Sequence, residues 1–229
     1  MARPSLRLID RVAAAFGRQV ALYSRAVVTP ASTEIIFDAP LPLRPAVFVG
    51  WHESNLLALA LHGGVMMRGA ISFVPPGAAG VAMRGWLEGL GIVPVLLAAG
   101  VRRGLGLRQM EAALAAGKDV LIAVDGPRGP RHRIAPGAVW LARSACAEIR
   151  PVGCAAWPAL ALPRWDRLLV PLPGARIGLA VGAPLALNGS CCEPQEARIA
   201  AALDGLAARA RLAVHSAQGL RATEAAPWS

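Results

Sequence analysis

The stretch that most constrains this chain is a short apolar run that breaks abruptly. Val120-Leu121-Ile122-Ala123-Val124 is followed at once by Asp125-Gly126-Pro127-Arg128-Gly129-Pro130. A run this short, apolar and rich in β-branched residues, reads as a strand buried on both faces. Two glycines and two prolines within five residues can neither extend that strand nor start an ordinary helix. The strand therefore delivers an acid, Asp125, and a cation, Arg128, onto one tight loop. In open α/β sheets, loops at the carboxyl ends of strands are where ligands bind. Two arrangements fit the pair: Asp125 and Arg128 bind each other and pin the turn, or the planar guanidinium faces an anionic ligand.

The remainder of the chain repeats this strand-and-helix alternation. Strands are expected at 34–37, 46–50, 70–74, 92–97, 120–124, 149–155, 168–170 and 176–181, and Pro94 makes the 92–97 strand edge-like. Helices are expected at 56–67, 81–90, 107–116, 138–147 and 193–217, the last from the spacing of Ile199, Leu203, Leu206, Ala210 and Val214. Pro171-Leu172-Pro173-Gly174 reads as a turn between two strands. The pattern predicts an α/β fold: one domain spanning 1–229, with a mixed central sheet of about six to seven strands and helices on both faces. No repeat or linker divides it. At 229 residues the chain is long enough for one sizeable core.

An amphipathic helix over 5–28 precedes that sheet. Leu6, Ile9, Val12, Ala13, Phe16, Val20, Tyr23 and Val27 recur at three- and four-residue spacing, with Arg7, Arg11, Arg18 and Arg25 opposite. Such a stripe either packs on the domain with its arginines solvated, or lies in a membrane interface. The formal net charge of +10, with 24 basic against 14 acidic residues, attracts anions of some kind. Aromatic residues are only 5% of the chain and no aromatic–basic platform or reader motif is present, so nucleic acid is not the expected partner. No apolar run reaches the roughly 18–20 residues that span a bilayer, and charges recur through the first 25 residues where a secretion signal would be apolar. Cys146, Cys154, Cys191 and Cys192 lack zinc-ligand spacing, so no metal is implied and a reducing compartment is the simpler setting.

Two further segments bear on chemistry. The 46–50 strand runs straight into Trp51-His52-Glu53-Ser54-Asn55. Ser54 or Asn55 can cap the helix that follows, which places His52 near the positive end of that helix. There the neutral imidazole is favoured, the form a general base needs; a hydrogen-bonded structural histidine is the other reading. The second segment, 100–106, carries Arg102 and Arg103 among glycines ahead of a helix, a weak form of phosphate-binding loop.

Taken in order, Trp51-His52, then Asp125-Gly126-Pro127-Arg128-Gly129-Pro130, then Pro136-Gly137-Ala138-Val139-Trp140-Leu141-Ala142, then Trp165-Asp166-Arg167 with Pro171-Leu172-Pro173, resemble the lysophospholipid acyltransferase superfamily. The nearer resemblance is to its bacterial branch known as domain of unknown function 374, over residues 45–190. The resemblance implies an O-acyltransferase, with an acyl thioester (acyl-CoA or acyl carrier protein) as donor, a phosphate-bearing lipid or glycolipid as acceptor, and no further cofactor. It implies His52 as general base, and Asp125, Gly126, Pro127 and Arg128 in the motif that helps hold the acceptor's phosphate, with Arg128 as the clamp, Asp125 orienting either His52 or Arg128, and Arg102 and Arg103 standing in for an arginine the branch carries earlier. It places the protein in the cytoplasm, peripheral on the anionic inner-membrane surface. Ile149, Pro151 and Val152 match a further, mostly structural motif of the superfamily. Two departures stand out. Where the superfamily follows its histidine with an aspartate after four intervening residues, this chain has Leu57; Asp125, Glu53 or Asn55 would have to serve instead. Losing an orienting carboxylate with no replacement costs about 10⁴ in rate. Where the branch carries Val-Arg-Gly-Ser after its third strand, this chain has Pro94-Val95-Leu96-Leu97. A lipid-binding protein of the same fold without catalysis is the alternative.

Overall fold

The computed structural model describes residues 8–28, 33–58, 69–96, 103–185 and 195–215. They form a seven-stranded mixed sheet covered on both faces by helices, as the alternation predicts. In chain order the elements are α1 (Leu8–Val27), β1 (Thr33–Phe37), β2 (Val47–Gly50), β3 (Ala70–Val74), α2 (Ala78–Gly89), β4 (Val93–Leu96), α3 (Arg103–Ala115), β5 (Asp119–Ala123), α4 (Gly137–Ser144), β6 (Ile149–Ala161), β7 (Leu169–Val181) and α5 (Gln195–His215). A 3-10 turn, His52–Ser54, follows β2 and leads into helical backbone at 55–58. The rest of the helix expected at 56–67 lies outside the described residues.

The strands lie in the order β1-β7-β6-β2-β5-β3-β4. All neighbours are parallel except β6 and β7, which form a long antiparallel hairpin. β2 and β5 sit at the centre because their side chains are apolar on both faces. Phe48 and Leu121 enter the core beside α1 and α2, whereas Val47, Val49 and Val120 enter the one beside α3, α4 and α5. Buried Asp119 fixes where the two strands start: its Oδ1 accepts the Ala46 N–H at 2.9 Å. β4 is the outer strand, where Pro94 costs no ladder hydrogen bond.

Three expectations need correction. The 103–106 part of the basic glycine loop is the first turn of α3, and Gly106 is there because a Cβ would press to 2.9 Å from the Phe73 ring. Pro171-Leu172-Pro173-Gly174 is not a turn between strands. β7 runs through it, Pro171 pairing with Ala159 and Arg176 with Trp157, and the extra residues bulge out between those pairs. Among the described residues β1 pairs only with Ile177–Val181, so no described strand forms a ladder with the prolines on that side. The third concerns α1, whose apolar stripe does not act as one face: Val20, Tyr23 and Val27 pack on the core, but its first half does not. Its buried residues are Gly17, Ala21, Ser24 and Val27, while Leu8, Ile9, Val12 and Phe16 are all exposed. Gly17 and Gly85 bring α1 and α2 backbone to backbone: a Cβ on Gly17 would lie 1.9 Å from the Ala82 carbonyl oxygen. Small residues face inward because nothing larger fits that approach.

Candidate active site

β2 and β5 end side by side, with Gly50 in register with Ala123 and the Val124 N–H donating to the Gly50 carbonyl at 3.0 Å. The chain leaves one strand into Trp51 and His52 and the other into Asp125. The sequence-predicted pair, His52 and Asp125, therefore meets at the carboxyl edge of the sheet's centre. Asp125 is 2% exposed. Its Oδ1 accepts the backbone N–H of His52 at 2.9 Å and its Oδ2 accepts that of His132 at 3.3 Å. A buried carboxylate needs such donors, and here they tie the two strand-end loops together. Gly126 supplies the left-handed conformation that turns the loop (φ 67°).

Arg128 takes no part in that bracket. It is exposed and makes no hydrogen bond or ion pair among the described residues. Of the two arrangements open to the Asp125–Arg128 pair, mutual pinning of the turn is thus excluded, and the guanidinium is left available on the rim.

The His52 ring is largely buried, its side chain 18% exposed. Nδ1 lies 3.9 Å from Asp125 Oδ1, close enough for strong electrostatic contact but not a hydrogen bond, and no other protein group satisfies it. The ring packs at 5.2 Å from Trp165, tilted by 45°. Burial lowers the His52 pKa below its ordinary value. The carboxylates of Asp125 and Asp166 oppose that shift, and the Arg164 guanidinium adds to it. The net effect is a neutral imidazole at neutral pH, the state expected from the positive end of the following helix, but the cause is burial.

The tip of the β6–β7 hairpin forms the site's outer wall. Trp165 lies against Gly129, where a Cβ would come within 2.7 Å of the indole and where φ is 70°. Asp166, fully buried, holds the tip by accepting from Arg164 at 3.0 Å and from the Leu168 N–H at 3.3 Å. This is what the Trp165-Asp166-Arg167 segment does locally.

Glu53 and Asn55 do not take over the role of the missing aspartate. Glu53 is buried and bound by Arg131, whose Nε donates to Oε2 at 2.9 Å. It also faces His132 Nε2 at 3.4 Å. Asn55 is only partly buried; its backbone N–H donates to the His52 carbonyl, and among the described residues no side-chain bond joins it to the His52 ring. Leu57 is fully buried in the core beside α1 and α2, so the position contributes packing alone. Ser54 does not cap the following helix; its hydroxyl donates back to the Trp51 carbonyl at 3.1 Å.

A second cluster, which the sequence did not reveal, backs the first. His132 has left-handed backbone (φ 59°) and stacks on Trp51 at 4.6 Å and 18°. Its Nδ1 lies 3.8 Å from Asp204 of α5, and the Trp51 indole N–H donates to the same carboxylate at 2.9 Å. Trp51 is thus a buried brace rather than a reacting group. Only Arg131-His132, directly after the glycine–proline loop, hinted at this; Asp204 lies 153 residues from Trp51.

Arg102 lies outside the described residues, and Arg103 is placed only as the first residue of α3. Cys146 and Cys154 are free, and burial pushes the Cys154 thiol up to about 12, which leaves it protonated. Among the described residues no three His, Cys, Asp or Glu side chains gather to hold a metal ion, and no helix is long and apolar enough to cross a membrane. On the α1–α2 side of the sheet a narrow, mostly apolar pocket is lined by Gly50, Asn55, Ala58, Ser72, Leu121 and Val152.

No family model matches the chain. It is similar to an uncharacterised protein of Rickettsia prowazekii (strain Madrid E), 26% identical over 141 residues. The alignment covers 62% of this chain and 64% of that protein.

Proposed function

We propose that this protein is an O-acyltransferase of the lysophospholipid acyltransferase kind. It would move a fatty acyl group from an acyl thioester to a hydroxyl of a phosphate-bearing lipid or glycolipid, at the cytoplasmic face of the inner membrane. The observation that carries this reading is the meeting of a neutral, largely buried His52 with the buried Asp125 carboxylate, on a loop whose Arg128 is exposed and unpaired. His52 removes the acceptor's hydroxyl proton, and the oxygen attacks the thioester carbonyl carbon. The carbon–sulfur bond breaks, the leaving thiolate takes the proton back from the imidazolium, and the products are an ester and the free thiol of CoA or acyl carrier protein. Asp125 stabilises the transient imidazolium from 3.9 Å. Arg128 holds the acceptor's phosphate, with Gly126 giving the loop its turn and Arg102 and Arg103 assisting.

The test is thiol release from acyl-CoA and acyl carrier protein donors over a panel of lysophospholipid and glycolipid acceptors. His52→Ala should lower turnover by at least about 10²-fold, the lower end of what a general base supplies, with unchanged thermal unfolding; full turnover in that variant overturns the reading. The wild-type rate should fall as pH drops through a value below 6.5, because protonation of His52 removes the base. A second reading has one observation in its favour. Nδ1 of His52 has no hydrogen-bond partner, so the base lacks an aligned orienting carboxylate. A lipid-binding protein without catalysis would bind lipid and release no thiol with any acceptor.

A further inference from the structure

The N-terminal half of α1 is built inside out for a helix that meets water, while in its C-terminal half Val20, Tyr23 and Val27 pack on the core. Among exposed surfaces of soluble proteins, large apolar side chains occur singly and the bulky ones turn inward. Here Gly17, Ala21 and Ser24 face inward onto α2, with Ala14 against Gly85, and the contact is as close as backbone allows. Outward go Leu8, Ile9, Val12 and Phe16, each more than 60% exposed. Small residues between helices and large ones outside is the arrangement used where the surroundings are lipid, because lipid rewards no burial of the bulky groups and leaves close packing to decide the contact.

The charges fall on the same exposed arc. Arg11, Arg18 and Arg25 recur every seven residues and so form one row along the helix, beside the Leu8-Val12-Phe16 row. All three are exposed and none has a hydrogen bond or ion pair among the described residues. The single acid of α1, Asp10, falls instead in the inward row with Gly17 and Ser24. An apolar strip bordered by unpaired arginines, with no acid between them, matches a surface that is apolar within and anionic at its rim.

We infer that the outer face of α1 docks on an anionic lipid bilayer, with Leu8, Ile9, Val12 and Phe16 in the acyl-chain boundary and Arg11, Arg18 and Arg25 on the headgroups. The inference rests on the membrane-surface part of the reading above and is independent of its acyl-transfer chemistry. Of the two readings its periodicity left open, it assigns the membrane interface to the first half of the stripe and core packing to Val20, Tyr23 and Val27.

The experiment is co-sedimentation of the full chain with vesicles of phosphatidylcholine alone and of phosphatidylcholine with phosphatidylglycerol. Binding should be at least tenfold stronger to the anionic vesicles and should weaken with salt. The double variant Val12→Asp, Phe16→Asp should lose it by more than tenfold. Arg11→Gln, Arg18→Gln and Arg25→Gln should each weaken it by about fivefold. Circular dichroism and thermal unfolding check that each variant is folded, and the single arginine variants keep the test open if the double one is not. Absence of wild-type binding to anionic vesicles overturns the inference. So does a self-association, seen by sedimentation velocity without lipid, that the same double variant abolishes, since the strip would then be a contact between copies. Thiol release in detergent, measured in parallel with soluble short-chain substrates, reports on His52 alone, so the two readings fail separately.

Discussion

α1 and α5 are nearly the same length, 20 and 21 residues, and both carry apolar side chains at helical spacing, yet they bury opposite things. In α5 the spaced residues are the ones that meet the sheet: Ile199, Leu203, Leu206, Ala210 and Val214 are all buried. In α1 the spaced residues divide: Val20, Tyr23 and Val27 pack on the core, whereas Ile9, Val12 and Phe16 miss it and the small residues Gly17, Ala21 and Ser24 make the contact with α2. The difference lies in what each helix packs against. α5 lies on strands β6 and β7, whose Gly153 and Gly178 let its backbone come close while its large side chains fill the space on either side; a Cβ at Gly178 would sit 2.4 Å from the Ala210 carbonyl oxygen. α1 lies on another helix, and two helices in backbone contact leave no volume for large side chains at the crossing. Periodicity shows which residues share a face; it does not show which face is turned inward.

The largest effect expected from this contrast is at Leu203, which is completely buried. Leu203→Ala should lower stability by about 2–5 kcal/mol, through lost transfer free energy and the cavity left behind. Denaturant unfolding measures it, and a change below about 1 kcal/mol would mean that α5 is not seated as described.

Gly17→Ala comes next and sets two effects against each other. Alanine in place of glycine inside a helix gains up to about 1 kcal/mol of intrinsic preference. At this position its Cβ would meet the Ala82 carbonyl at 1.9 Å, and that oxygen belongs to a helix backbone that cannot step aside. The clash should win, leaving a net loss of about 1–3 kcal/mol. A gain in thermal stability would show that α1 stands off α2 in solution.

Asp204→Ala is smaller, and it tests the one place where α5 reaches the candidate site. The Trp51 indole N–H would lose its partner, at a cost of about 0.5–1.5 kcal/mol. Because Trp51 carries the stacked His132 ring, and the His132 N–H holds Asp125, the loss should also loosen the bracket around His52. Faster amide exchange at His132 in Asp204→Ala, with exchange at Leu203 unaffected, is the expected sign. No change at His132 would mean that the two clusters are independent.

The same contrast explains what could be read from the sequence. The alternation of strands and helices, the central place of the 120–124 run and the edge position of Pro94 all follow from composition along the chain, because burial on two faces demands uniformly apolar strands. The approach of His52 to Asp125 followed from placing both at strand ends. What could not be read was contact through backbone. Asp125 is held by two N–H groups, and every residue but proline has one, so no spacing marks His132 as its partner. Nor does anything near position 51 announce Asp204, since a packed α5 supplies it. The run through Pro171 and Pro173 was read as a turn because prolines usually end strands; instead the strand continues through a bulge opposite Trp157 and Ala159.

The smallest expected effect is the one that most sharpens the contrast. Phe16 has the size of a core residue and sits at a spacing that predicts burial, but it is 64% exposed. Phe16→Ser should therefore change the stability of the lipid-free protein by no more than about 0.5 kcal/mol, against several for Leu203→Ala. The measurement is denaturant unfolding at two protein concentrations. A loss near 3 kcal/mol at both would place Phe16 in the chain's own core and make α1 an ordinary amphipathic helix like α5. A loss that appears only at the higher concentration would place it between two copies. A small change at both leaves the strip exposed in water, which is the state a lipid-docking face must have before it meets the membrane.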